Sequence, residues 1–343
     1  MARTVLVTGG SGYFGSLLAA HALARGDTVR IFDVNPPAPD LHAAEYIAAD
    51  VRDERALQAA CDGVDLVFHN VATVPLARDK ASFDSVNVTG TASLLVCARR
   101  ADVRKIVHTS SSAIFGIPEH NPVDESTPGR PLEAYGRAKL QAELLCREAA
   151  ATGVDVTIIR PRTILGHGRL GIIALLFEFV ADGAPVWVLD GGKNRYQFVH
   201  ADDLADACLR AGDREGPSVY NIGAAEFGTM RETLQALVDH AGTGSRVRNL
   251  PAGPARVVMR ALTRAGLAPF APYHWLLYGE SLYFDVSKAR AELNWEPKHS
   301  NVSSVIESYE WFLVHRDAPD TGPRSHHQSP VRPGLVRALK LVP

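Results

Sequence analysis

The stretch Val5-Leu6-Val7-Thr8-Gly9-Gly10-Ser11-Gly12-Tyr13-Phe14-Gly15 decides the fold. Its apolar, β-branched beginning predicts a buried parallel strand. The glycines follow at a G-x-x-G-x-x-G spacing, which permits a tight turn, a close backbone approach to a phosphate and close packing of the next helix. Free N–H groups at the start of that helix favour an anion. The stretch therefore predicts a dinucleotide phosphate site.

A carboxylate follows in the position that such a site uses for a ribose. The next strand, Thr28 to Phe32, ends in Asp33. An acid about 20 residues past the glycines accepts a hydrogen bond from the ribose 2′-hydroxyl. The same charge repels a 2′-phosphate, so the sequence predicts NAD rather than NADP.

A second motif, Tyr135-Gly136-Arg137-Ala138-Lys139, lies about 120 residues later in the sequence. Residues four apart share one face of a helix, so Tyr135 and Lys139 project together. The ammonium favours the phenolate, which suits the tyrosine to proton exchange. Before it, the strand Lys105 to His108 runs into Thr109-Ser110-Ser111-Ser112. A hydroxyl at a strand's carboxyl end can bond the reacting oxygen of a carbinol or carbonyl.

Further motifs follow these two along the sequence. Together they make roughly residues 3 to 315 resemble the extended short-chain dehydrogenase/reductase family, in its nucleotide-sugar epimerase and dehydratase branch. The remaining motifs are Asp50-Val51-Arg52-Asp53, His69-Asn70-Val71-Ala72, Asn87 to Thr91, Arg160-Pro161, Phe198 to Ala205, and Tyr220 to Gly223. The resemblance implies an α/β fold. Its Rossmann-type, doubly wound parallel sheet would carry a smaller, mostly C-terminal substrate lobe.

The resemblance also implies the site residues. Ser111, Tyr135 and Lys139 would be catalytic, with Ser110 and Ser112 as alternatives to Ser111. The cofactor-binding residues would be Gly9, Gly12, Tyr13, Phe14, Gly15, Asp33, Asp50, Val51, Val71, Ala72, Asn87, Tyr135, Lys139 and Pro161. The substrate-binding candidates are Thr73, Ser112, Arg162, Thr163, Arg169 and Arg195. Guanidinium groups suit phosphate, so the arginines, with Lys193, could clamp a diphosphate.

Departures from the family pattern narrow the chemistry. Ser112-Ala113 stands where 4,6-dehydratases carry an Asp-Glu pair, and neither residue can act as a general acid or base. Thr163 stands where epimerases usually carry Asn, and Arg195 is displaced by one position. The leading hypothesis is a nucleotide-sugar 4-epimerase that works through a transient keto intermediate. The alternatives are an NAD-dependent 3β-hydroxysteroid-type or other alcohol dehydrogenase and, less favoured, a non-catalytic cofactor-binding protein.

Composition predicts a cytoplasmic enzyme without a nucleic-acid or integral membrane partner. The 343 residues are 46% hydrophobic and 22% charged, with a net charge of −2. The longest apolar stretch, Leu170 to Val180, contains Glu178 and is too short to span a bilayer. No N-terminal apolar signal is expected. The four scattered cysteines predict reduced thiols. No metal is expected, since His167 and His200 lack metal-ligand spacing. We expect a homodimer.

The predicted domains are interleaved. Residues 1–161 form the NAD-binding domain, and 162–316 form the substrate lobe with returning elements near 196–223 and 285–295. Residues 317–343 are expected to be a flexible tail whose end, Gly334 to Val342, could dock as a short strand or helix. Met230 to Ala241 predicts a core-facing helix. Pro254 to Leu267 predicts a basic apolar helix, either over the pocket mouth or in contact with a membrane surface.

Overall fold

The computed structural model describes residues 2–73, 82–169, 171–265, 267, 276–317 and 340. The strands are β1 (Thr4–Thr8), β2 (Thr28–Asp33), β3 (Glu45–Ala48), β4 (Leu66–His69), β5 (Lys105–Thr109), β6 (Val156–Pro161), β7 (Thr163–Leu165), β8 (Val186–Leu189), β9 (Phe198–His200), β10 (Ser218–Ile222) and β11 (Val247–Leu250). The helices are α1 (Tyr13–Ala24), α2 (Glu54–Cys61), α3 (Gly90–Arg100), α4 (Ala134–Ala151), α5 (Ile172–Ala181), α6 (Ala201–Asp213), α7 (Met230–Ala241), α8 (Ala252–Arg264), α9 (Ser287–Leu293) and α10 (Asn301–His315).

Seven strands form one parallel sheet in the order β3-β2-β1-β4-β5-β6-β10. Neighbouring side chains of a strand point to opposite faces, so Val5 and Val7 pack with α1 and α6, while Leu6 packs with α2, α3 and α4. The order reverses between β1 and β4, which is where open α/β sheets bind ligands. The predicted Rossmann-type, doubly wound α/β fold is confirmed.

The chain leaves the large sheet after β6 and returns to it with β10. Between them, β7 pairs with β9, and β8 pairs with the later β11. Helices α5, α7 and α10 pack around a separate apolar core. In α7 that core takes Leu234, Leu237 and Val238, the face predicted from the sequence. Helix α9 packs on β10 and α6, and the buried Trp295 indole donates to the Asp203 carbonyl, 2.9 Å away.

The C-terminal tail lies largely outside the described residues, and with it the hypothesis that Gly334 to Val342 docks. Of that tail the structure describes Asp317 and Lys340. The Lys340 ammonium donates to the Asp182 carboxylate at 2.6 Å. Across the described ranges, no helix is long and apolar enough to cross a membrane. All four cysteines are buried and free.

Candidate active site

The glycine run builds a close-packed turn between β1 and α1. Gly9 has φ +70°, and a Cβ there would lie 2.8 Å from the backbone nitrogen of Val71. A Cβ on Gly15 would overlap the Gly9 carbonyl oxygen. Gly12 is the N-cap of α1, and no side chain caps that helix. The first N–H groups of α1 therefore open onto the cavity that Gly9, Gly12 and Gly15 line, as a pyrophosphate site requires.

Asp33 lies at the carboxyl end of β2, on the cavity wall. Its two carboxylate oxygens accept from the backbone N–H groups of Ser11, at 3.1 Å, and Asn35, at 2.9 Å. Burial raises the pKa of this carboxyl group, while the backbone hydrogen bonds oppose that shift. Each oxygen keeps acceptor capacity for a ribose hydroxyl. The buried, anchored carboxylate and the glycine turn together fit NAD.

Two of the predicted cofactor-binding residues, Asp50 and Val51, follow β3. The guanidinium of Arg52 bonds Asp50 at 2.8 and 2.6 Å, which lowers the pKa of that carboxyl group. Val51 is buried beneath α3, and a Cβ on Gly90 would lie 2.5 Å from a Val51 methyl carbon. Asp50 and Val51 both line the cavity, so their predicted cofactor role is consistent with where they lie.

Asn87 supports a loop that lines the cavity. It is buried in a π-helical turn, Phe83–Thr89, that precedes α3. Its amide accepts from the Thr73 N–H at 2.7 Å and donates to the Thr73 carbonyl at 3.1 Å. Val71, Ala72 and Thr73 do line the cavity. Asn87 therefore holds the loop after β4 in place; it is not among the described residues that line the cavity, and its predicted cofactor-binding role stays a prediction.

The serine run separates into three environments. Ser110 donates to Glu143 at 2.6 Å, and Glu143 is also paired with the buried Arg160 at 2.8 Å. Ser112 accepts from Arg162 at 2.7 Å. All three serines line the cavity, but Ser111 accepts from the backbone N–H of Ala113 at 3.1 Å and donates to no side chain among the described residues, so its own hydrogen stays available to an acceptor. This division favours Ser111 among the three candidates.

Glu133 and Gly136 position Tyr135. The Glu133 carboxylate caps α4 by accepting from the N–H groups of Tyr135, at 2.8 Å, and Gly136, at 2.6 Å. A Cβ on Gly136 would lie 2.5 Å from the Ala113 carbonyl oxygen. Only glycine therefore lets α4 approach the serine segment this closely. The sequence analysis missed Glu133, although a capping residue directly before the helix was visible there.

Lys139 follows one turn later on α4 and is 3% exposed. Its ammonium donates to the Thr109 carbonyl at 2.6 Å, and burial lowers its pKa to about 8. Nearby, His69 lies between the hydroxyl groups of Thr8, at 2.7 Å, and Thr91, at 2.9 Å. Burial and the Lys139 charge lower the pKa of His69 to about 3, so that ring stays neutral. The sequence analysis gave His69 no role.

The cavity continues from the NAD end into the lobe and has a volume of about 1150 Å³. Its lobe half is lined mainly by apolar side chains from α5, β8, α7, β11 and α8. They are Ile172, Ile173, Leu175, Leu176, Phe179, Val186, Leu189, Met230, Leu234, Leu250, Val258, Met259 and Leu262. The indole of Trp187 is among the few polar groups there. Such a wall can bury a large apolar ligand.

The arginines proposed for the substrate lie apart from one another. Arg162 lines the cavity, is 2% exposed and lies between the rings of Tyr196, at 4.8 Å, and Phe284, at 5.7 Å. Its Nε and Nη2 have no hydrogen-bond partner among the described residues. Thr163, also on the wall, shares a 2.8 Å hydrogen bond with Tyr196.

Arg169 lies 5.5 Å from the centre of the Tyr13 ring, beside the glycine run. Arg195 packs over Phe227, at 4.9 Å, and Tyr283, at 4.5 Å, and is not among the described residues that line the cavity. Lys193 is absent from that wall as well. Of the four basic residues predicted to clamp a diphosphate, Arg162 and Arg169 therefore lie on the cavity wall. The roles of Arg195 and Lys193 stay predictions.

Three histidines, His167, His200 and His299, cluster around the Glu307 carboxylate. The rings of His200 and His299 stack 3.8 Å apart at 20°, and their Nε2 atoms lie 3.7 and 3.6 Å from the Glu307 carboxylate. His167 lies 2.7 Å from the same carboxylate. Lone pairs of nearly parallel rings do not converge on one ion, so this geometry disfavours a metal site. The Nδ1 of His200 accepts from the Asp202 N–H at 3.3 Å, while its Nε2 has no hydrogen-bond partner among the described residues. The interpretation of His167 and His200 as hydrogen-bonding residues stays a prediction.

Comparison with known proteins identifies the fold and the family. The chain is 22% identical to the crystal structure of UDP-glucose 4-epimerase from Thermotoga maritima, with a TM-score of 0.77 over 92% of this chain and 100% of the other. It is 48% identical to the uncharacterized protein y4nG of Sinorhizobium fredii over 99% of this chain and 87% of the relative. It is 38% identical to sterol demethylase protein B of Methylococcus capsulatus over 90% and 98%.

The family model for the NAD dependent epimerase/dehydratase family matches residues 5–223. The matched range contains the glycine run, Asp33, the serine run and the Tyr135–Lys139 pair. The resemblance inferred from the sequence and the predicted cofactor, NAD, are thereby confirmed. The chain belongs to the NAD dependent epimerase/dehydratase family.

Proposed function

We propose that this protein is an NAD-dependent oxidoreductase that interconverts a secondary alcohol and a ketone on a large, mainly apolar substrate. The observation that carries the proposal is the apolar lobe half of the cavity, which Ser111, Tyr135 and Lys139 adjoin. Removal of apolar surface from water is favourable by about 25 cal/mol per Å², although only part of this free energy appears as affinity, so this wall favours a sterol-like or isoprenoid-like substrate over a sugar.

In the proposed reaction Ser111 holds the substrate oxygen and Tyr135 takes the hydroxyl proton as the carbon loses hydride. NAD, when bound, supplies the hydride acceptor. Lys139 keeps a positive charge beside the phenol, which favours the phenolate. In the reverse direction the reduced cofactor would supply the hydride to the ketone carbon, and Tyr135 returns the proton to the oxygen, which gives the alcohol. Asn87 keeps the loop of Thr73 in position, and Glu133 keeps Tyr135 at the start of α4.

The polar groups of the lobe support the same proposal. A diphosphate is doubly charged and needs several donors. Arg162 already donates to Ser112, and Arg195 packs on rings outside the cavity wall. The remaining Nε and Nη2 of Arg162 and the Trp187 indole N–H are buried without a hydrogen-bond partner among the described residues, so they add no exposed donors for a diphosphate. The relative named sterol demethylase protein B, 38% identical, is in keeping with an apolar substrate.

The second candidate is the nucleotide-sugar 4-epimerase of the sequence analysis. Arg162 and Arg169 favour it, since both line the cavity and could hold a diphosphate. An epimerase would use Ser111, Tyr135 and Lys139 in the same way but return the hydride to the opposite face of the ketone. The cytoplasmic location and the homodimer predicted from the sequence belong equally to both candidates and stay predictions.

A binding experiment separates the two. Trp187 lines the cavity, so its fluorescence should report occupancy of the lobe half. With NAD present, we expect a cyclodextrin-dispersed sterol alcohol to change the emission saturably and UDP-glucose to leave it unchanged. The control variant Trp187→Phe should lose the signal while calorimetry still detects the sterol. Saturable binding of UDP-glucose without binding of the sterol would overturn the proposal.

A further inference from the structure

Positive charge is concentrated in one stretch of the substrate lobe. Between Asp239 and Glu280 the sequence has five arginines and no aspartate or glutamate, in a chain whose net charge is −2. The arginines are Arg246, Arg248, Arg256, Arg260 and Arg264. Three of them lie on α8, where Arg256 pairs with Glu280, whereas Arg260 and Arg264 are exposed. This part of the lobe therefore presents a surface that attracts anions.

Helix α8 also leaves much of its apolar surface uncovered. Ala252, at its first position, is the only one of its thirteen residues that is buried. Val257 is 69% exposed, Val258 is 55% exposed and the nearby Leu267 is 46% exposed. A helix of a globular protein normally buries an apolar stripe. Adjacent exposed apolar and basic side chains are instead typical of a helix that lies at a membrane interface.

The opposite face of α8 is part of the active-site cavity. Pro254, Val258, Met259 and Leu262 line it, at the spacing of one helix face. Val258 is both a lining residue and largely exposed, so α8 forms the rim between the cavity and the outer surface. A ligand that enters the lobe half of the cavity over this rim passes the exposed side chains of Val257, Arg260 and Arg264.

We propose that the outer face of α8, with Val257, Arg260 and Arg264, docks onto an anionic lipid bilayer from which the apolar substrate enters the cavity. The exposed arginines favour an anionic bilayer as the partner, because each basic residue near an anionic membrane strengthens binding by about fivefold. Val257, on this outer face, inserts into the headgroup and acyl boundary. The source of the substrate rests on the proposed function, whereas the docking itself does not.

The test is binding of the full-length protein to vesicles, without NAD or substrate. We expect it to float with vesicles of phosphatidylcholine mixed with phosphatidylglycerol and to bind phosphatidylcholine vesicles weakly. Arg260→Glu/Arg264→Glu should weaken binding to the mixed vesicles by about 30-fold or more, from about fivefold per arginine. The matched control Arg55→Glu/Arg99→Glu changes the same charge at exposed positions of α2 and α3 and should bind normally.

Equal binding of the Arg260/Arg264 variant and the native protein to the mixed vesicles would overturn the docking. So would a change in oligomeric state on these substitutions without any change in vesicle binding, since that result assigns the face to another protein chain. A separate assay with a detergent-dispersed sterol alcohol should show equal NADH formation by the variant and the native protein. Vesicle binding without any alcohol oxidation would leave the docking standing and refute the proposed function.

Discussion

The charge of Lys139 should control how tightly NAD binds. Its ammonium is buried, donates to the Thr109 carbonyl and has a pKa lowered to about 8, from 10.5, by burial. Lys139 is predicted to bind the cofactor, so we expect NAD to prefer the charged form. With a pKa of about 8, about nine-tenths of the lysine is charged near pH 7 and about one-tenth near pH 9. NAD should therefore bind about tenfold more weakly at the higher pH, or about 1.4 kcal/mol.

The measurement is a calorimetric titration of NAD across this pH range. Tyr135→Phe is the background of choice, because it removes the hydroxyl group of the neighbouring tyrosine and leaves Lys139 in place. In that background the added substitution Lys139→Met is the control, and it should bind NAD weakly but with no dependence on pH. If the dissociation constant of the protein that retains Lys139 stays constant through this range, the buried ammonium does not contact the cofactor. The reasoning is then wrong.

Three further outcomes follow from the site. Tyr135→Phe should lower turnover by ~10²–10⁴-fold in steady-state assays while calorimetry finds NAD affinity nearly unchanged, and near-native turnover would remove the tyrosine from the mechanism. Asp33→Ser should weaken NAD binding and narrow the preference for NAD over NADP; unchanged discrimination in parallel titrations would separate the carboxylate from the ribose. His69 is buried with a pKa of about 3 against 6.5 unfolded, so the unfolded chain gains its proton first as pH falls. The free energy of unfolding, measured by urea titration, should then drop by about 1.6 kcal/mol between about pH 6.5 and about pH 5 through this residue alone, and His69→Gln should lose that part of the slope.

The cofactor half of the site could be predicted from the sequence because its determinants are local. The glycine run dictates a turn that only glycine can make, and Asp33 ends the strand that follows. Tyr135 and Lys139 share a helix face whatever the rest of the chain does. These features depend on a few neighbouring residues, so their spacing carries the information.

The substrate half could not be predicted in the same way. Its wall is assembled from α5, β8, α7, β11 and α8, which are far apart in sequence and each show an ordinary apolar pattern. The position of Arg195 likewise depends on Phe227 and Tyr283, which lie 32 and 88 residues further along the chain. The serine run gave three candidates until the partners Glu143 and Arg162 distinguished them.

The central claim is net oxidation of an apolar alcohol, and NADH formation tests it most directly. The purified protein, NAD and a detergent-dispersed sterol alcohol are mixed, and NADH absorbance is followed together with the ketone by mass spectrometry. The account predicts one NADH for each ketone formed, and Tyr135→Phe should abolish most of that signal. Interconversion of a nucleotide sugar and its 4-epimer without accumulation of NADH, and no reaction of the sterol, would contradict the account.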